Sequence, residues 1–112
     1  MASPQGFTVE INDAEGEAVC IRVKGELDMA ATPGLTEAIV GAKGTGRVTL
    51  DLSGVTFLDS SAIGALVASG REVSDAGGRL EIGPRSDIVT RVLEITGLAD
   101  TSEAFDVLPE DG

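Results

Sequence analysis

A chain of 112 residues is the size of one small domain, with room for a single hydrophobic core. Its 42% apolar content suits a globular protein. Its formal net charge of −11, with no offsetting Lys/Arg cluster, sets it against nucleic acid and anionic membrane surfaces.

The absence of histidine removes the usual general base near neutral pH. No CxxC pair, HExxH or other paired-ligand spacing is present, so neither a metal nor a cofactor is expected. The only aromatic residues are three phenylalanines, which gives no stacking platform for bases. No run of about 18 apolar residues exists, so no transmembrane helix is expected. The start, MASPQGFTVE, lacks the basic end and apolar stretch of a secretory signal, and a cytoplasmic location is expected. The lone Cys20 lies in an apolar strand pattern and reads as a buried structural thiol in a reducing compartment.

In chain order, FTVEI (Phe7 to Ile11) alternates like a half-exposed strand, and NDAEGE reads as a hairpin loop. AVCIRV (Ala18 to Val23) is a more buried strand, antiparallel to the first, which KGELD breaks at Gly25. Thr32-Pro33 starts a helix with Leu35, Ala38, Ile39 and Ala42 on its apolar face, closed by Gly41 and Gly44. VTLDL (Val48 to Leu52) is a strand, followed by a turn at Gly54 and a short apolar approach from Val55 to Leu58. After Asp59 a helix places Ile63, Leu66, Val67, Gly70 and Val73 on one side, and Asp75, Gly77 and Gly78 end it. RLEIG (Arg79 to Gly83) is a strand. Pro84 and Ser86 announce a last helix with Ile88, Val89, Val92, Leu93 and Ile95 apolar and Gly97 at its end. AFDVL (Ala104 to Leu108) is a short terminal strand, and PEDG is a solvated tail.

The order β-β-α-β-α-β-α-β predicts an α/β fold: a mixed, mostly parallel sheet with an antiparallel N-terminal edge strand and helices packed against it. No linker, repeat or low-complexity segment interrupts the chain, so residues 1–112 read as a single domain with an ordered core over about 6–108.

The polar triplet Asp59, Ser60, Ser61 stands between an apolar strand and a helix rich in small residues. Three accounts are open. Asp59 or Ser60 caps the helix by accepting a free backbone N–H, worth about 1 kcal/mol. A serine acts as a nucleophile; with no histidine, the base would be Lys24, Lys43 or a carboxylate, and the flanks do not match GxSxG. Or a serine accepts a phosphate, which a helix N-terminus tolerates through its free N–H groups and dipole. Judged on the triplet alone, capping is the plainest account. Ala62, Gly64, Ala65 and Ala68 leave the early helix smooth, which serves either a docking partner or close packing on the chain's own sheet.

LDLSGVTFLDSSAIGAL resembles the signature of the STAS domain, and within it the bacterial anti-sigma factor antagonists. The segment VKGELDMAATP, with its Gly-Glu-Leu-Asp, and GGRLEIGPRSDIVTRVLEITGL extend the likeness from about Val19 to Leu98. The resemblance implies a protein that binds an anti-sigma factor which is also a serine kinase of the histidine-kinase ATPase fold. Capture of that kinase frees the sigma factor, and a PP2C-type phosphatase reverses the kinase's modification. Carried onto this chain, the phosphoacceptor is Ser60, and the partner-binding residues are Asp28, Asp59, Ser60, Ser61, Ala62 and Gly64. Ala62 departs from the glycine common at its place, which puts an extra methyl near the docking site. No direct nucleic-acid contact, no membrane insertion and a free monomer are expected. The alternative within the family is a non-switching subunit of a transporter-associated or stress-sensing complex.

Overall fold

The computed structural model describes residues 7–13, 18–98 and 104–109. Within them, β1 (Phe7–Asp13) pairs antiparallel with β2 (Ala18–Leu27). β3 (Arg47–Leu58), β4 (Arg79–Arg85) and β5 (Asp106–Val107) then add in parallel, in the order β1-β2-β3-β4-β5. Between the parallel strands run α1 (Thr32–Gly41), α2 (Ser60–Asp75) and α3 (Asp87–Thr96), the crossovers that parallel pairing requires. This is the mixed sheet with an antiparallel first strand that the element order predicts. Of the expected hairpin loop NDAEGE, Asn12 and Asp13 instead belong to β1, paired with Cys20 and Val19, and residues 14–17, like the end of the PEDG tail, lie outside the described residues.

The alternation of side chains along the strands gives the sheet two unlike faces. Ile21, Val23, Val48, Leu50, Leu80 and Ile82 point inward and are fully buried, with Leu35, Ile39, Leu66, Val73, Val89 and Leu93 of the helices over them. The other face is polar: Arg22 lies 3.9 Å from Glu10 and 3.5 Å from Asp51, and Arg47 lies 3.8 Å from Glu81. Cys20 sits in register with Thr49 and is half-exposed, not buried. Its position takes the parity of the polar face, between the inward Val19 and Ile21. Two parallel hydrogen bonds from Arg79 to Asp106, 2.9 and 2.8 Å, fasten the two-residue β5 to β4.

Several element ends differ from the sequence expectation. Neither Gly25 nor Gly54 ends a strand: β2 runs on to Leu27, and β3 is one strand of twelve residues. Both glycines lie where the β2–β3 register slips. Gly25 has φ 101°, and a Cβ on Gly54 would stand 2.8 Å from the Lys24 Cγ. They serve as bulge residues, which local turn propensity does not distinguish from turn residues. Thr32 is not the cap of α1; that position falls to Ala31, and the Thr32 hydroxyl donates to the Met29 carbonyl at 3.0 Å.

The inward face of α2 is also turned relative to the apolar periodicity. Ala62, Leu66, Ser69, Gly70 and Val73 are buried, whereas Ile63 and Val67 are only half-buried. A close approach fixes this face: a Cβ on Gly70 would collide with the Ala104 carbonyl just before β5, so the chain passes over α2 at its glycine, beside the buried Leu66 and Val73. On α3, Val89 and Leu93 are buried, but Ile88 is exposed and Ile95 is 77% exposed. The Ser86 hydroxyl bonds the Val55 carbonyl at 2.6 Å instead of capping this helix.

Candidate functional site

The two polar motifs meet because β2 and β3 end in register. Leu27 pairs with Leu58, and the Asp59 N–H donates to the Leu27 carbonyl at 3.2 Å. Asp28 and Asp59 therefore leave the sheet side by side, at the carboxyl end of two adjacent parallel strands.

Each aspartate then starts a helical segment. Asp28 caps a 3₁₀ turn at Met29–Ala31, its Oδ1 accepting the Ala31 N–H at 3.2 Å. Asp59 caps α2, its Oδ1 accepting the Ala62 N–H at 3.1 Å, with extended backbone at φ −110°. The Ser61 hydroxyl donates to the same Oδ1 at 2.6 Å. That hydroxyl holds the Asp59 carboxyl below the usual carboxylate range; the Ala62, Ser61 and Met29 amides add to it against a smaller push upward from burial. The Asp59 N–H bond to the Leu27 carbonyl joins the end of β2 to the start of α2, which brings the two motifs together.

Five of the six predicted site residues are at least partly exposed. Asp28 and Asp59 are half-exposed caps. Ser60 is the first residue of α2, exposed, and its hydroxyl has no hydrogen-bond partner among the described residues; Ser61 is half-buried with its hydroxyl committed to Asp59. Gly64 is exposed, with open space where a Cβ would be. Ala62 does not belong with them. It is 0% exposed and part of the core, because adjacent helical residues point about 100° apart and its neighbours Ser60 and Ser61 face outward. Its methyl faces the sheet, so it adds nothing to a docking surface. The small residues of α2 therefore divide: Ala62 and Gly70 are buried, while Gly64 and Ala68 are exposed.

Sequence reasoning missed Met29 and Phe57. Met29 is 73% exposed immediately after Asp28, and Phe57 is exposed two residues before Asp59. Both are large apolar side chains in solvent beside the paired aspartates. The sequence carries no signal for this: Met29 stands two residues after the buried Leu27 and Phe57 two after the buried Val55, the spacing of inward strand positions, so their exposure shows only in the fold. Among the described residues, no three His, Cys, Asp or Glu are grouped to hold a metal ion. Nor does any described helix have the length and apolarity to cross a membrane.

The family model described as "Mlab, STAS domain" matches residues 12–109. This chain belongs to the STAS domain family. Relatives of known assignment agree. A Staphylococcus aureus protein named anti-sigma-B factor antagonist is 33% identical over 82 residues, which is 71% of this chain and 76% of the relative. A protein of the same name from Listeria monocytogenes is 29% identical over 103 residues, 90% of each chain. Among solved structures, an anti-sigma factor antagonist from Mycobacterium paratuberculosis matches with a TM-score of 0.77 at 27% identity, over 97% of this chain and 91% of that one.

Proposed function

We infer that the chain is an anti-sigma factor antagonist, a regulatory binding protein rather than an enzyme, switched by phosphorylation of Ser60. The observation that carries this is the contrast between the two adjacent serines. Ser61 spends its hydroxyl on Asp59, while the Ser60 hydroxyl faces solvent at the first position of α2. The names of the relatives support the partner class, an anti-sigma factor. In this reading the partner is a serine kinase of the histidine-kinase ATPase fold. It docks over Asp28, Asp59, Ser60, Ser61 and Gly64, and its capture frees the sigma factor in the cytoplasm.

A phosphate on Ser60 brings about −1.5 to −2 charges to a helix start already carrying Asp59. The exposed site keeps that charge in water, so the fold is retained. A docked partner would have to bury it, which spoils the complex. A PP2C-type phosphatase then restores the binding form, and the antagonist is a monomer when free. Incubation with the cognate anti-sigma factor and ATP, followed by mass mapping, tests the reading: the phosphate is expected on Ser60. No modification, or modification elsewhere with Ser60 untouched, would favour a non-switching STAS subunit instead.

A further inference from the structure

We propose that Met29 and Phe57 are the two apolar anchors of the docking surface, received by hydrophobic recesses with cationic rims on the anti-sigma factor. This rests on the anti-sigma reading of the same site and names what holds the partner there.

Single apolar side chains in solvent are ordinary. These two share one end of the sheet for a structural reason. β1 begins at Phe7, opposite Gly25, and the β3–β4 pairing ends with Leu52 and Arg85. The last β2–β3 pairs, Glu26 with Phe57 and Leu27 with Leu58, therefore project with no strand beside them among the described residues. Leu27 and Leu58 turn inward and are buried. Alternation puts Glu26 and Phe57 on the opposite face, where Phe57 is 46% exposed. Just past the end of β2, the 3₁₀ turn buries Ala31 and leaves Met29 in solvent. The other large apolar residues in solvent, Ile11, Ile88 and Ile95, belong to β1 and α3.

Charge defines what can cover this tip. It carries the carboxylates of Glu26, Asp28 and Asp59, and no Lys or Arg occurs in 25–32 or 55–64. A partner face with cationic side chains around its recesses complements them, and an acidic face is repelled. Such charges steer docking more than they hold it. The Ser61 hydroxyl is already committed to Asp59, and Gly64 has no side chain to bury. The gain on burial falls to Met29 and Phe57, since interfaces concentrate their affinity in a few large side chains seated in pockets.

The test is a calorimetric titration of the full chain with the cognate anti-sigma factor. Met29→Gln and Phe57→Thr are each expected to weaken binding about tenfold or more, with the melting midpoint held within a few degrees. Met29→Leu keeps an apolar side chain of similar volume and is expected to stay within about threefold of wild type. Added salt is expected to weaken wild type and Met29→Gln by the same factor, because the carboxylates are unchanged. Ser60→Asp separates the anchors from the switch. Loss of binding in Ser60→Asp, with Met29→Gln and Phe57→Thr binding like wild type, would keep the switch and overturn the anchors. Normal binding of Ser60→Asp, with both anchor variants weakened, would keep the anchors and overturn the switch. A collapse of the melting midpoint in both anchor variants would mark the two side chains as structural and overturn the proposal.

Discussion

The Ser61 hydroxyl donates to Asp59 Oδ1 at 2.6 Å, and this bond separates the roles of two neighbouring serines. One serine completes the cap. The other, one residue earlier, presents its oxygen to solvent. The Asp59 N–H in turn donates to the Leu27 carbonyl at 3.2 Å, so the end of β2 and the start of α2 meet at this cap.

The Asp59 carboxyl is held below its ordinary value of 3.8, first by the Ser61 hydroxyl. The unfolded chain binds that proton more readily than the folded one. The stabilisation is therefore fully present above pH 3.8 and is lost as pH falls through the lowered folded value. Asp59→Asn keeps a capping oxygen but cannot ionise. Melting curves should show wild type above Asp59→Asn by a constant margin from neutral pH to mild acid, with the margin shrinking in stronger acid. A margin that does not depend on pH would contradict the bonding around Asp59.

Ala62→Gly restores the residue common in the family signature. Because the methyl is buried in the core, the change removes helix propensity and a packed methyl, a loss of about 1–2 kcal/mol in urea unfolding. Affinity for the anti-sigma factor should stay near wild type. Unaltered stability with altered affinity would place the methyl on the outside.

Gly70→Ala would ordinarily favour a helix. Here the added carbon meets the Ala104 carbonyl and the Leu80 side chain, and overpacking of this kind costs about 1–3 kcal/mol. Urea unfolding of the variant should show a net loss, with hydrogen exchange quickening around Phe105. A gain in stability would mean that α2 and the 104–105 segment lie farther apart.

Much of this architecture was legible in the residues. The strand–helix alternation, the Asp59 cap and the left-handed Gly97 at the end of α3 all follow from local rules that tertiary packing did not override. What local rules miss depends on neighbours distant in sequence. Gly25 and Gly54 look like turns until β2 and β3 are paired, when they prove to be bulges. Hydropathy turns α2 toward Ile63 and Val67, because it cannot see that the 104–105 segment comes too close for anything larger than glycine at position 70. Cys20 reads as buried among apolar neighbours, but strand parity puts it with Thr49 on the polar face. At the site, residue types gave Asp59 and Ser60, and the resemblance added Asp28; the inward Ala62 and the outward Met29 needed the fold.

The central claim concerns Ser60, and the most direct measurement is made on protein stoichiometrically phosphorylated there. Its melting midpoint and its affinity for the cognate anti-sigma factor are compared with those of the unmodified chain. The account expects the midpoint to hold within a few degrees, because the phosphate stays in solvent at a helix N-terminus. It expects affinity to fall about 100-fold or more, as burying unpaired like charge at an interface costs several kcal/mol. Undiminished affinity of the phosphorylated protein, or collapse of its fold, would contradict it.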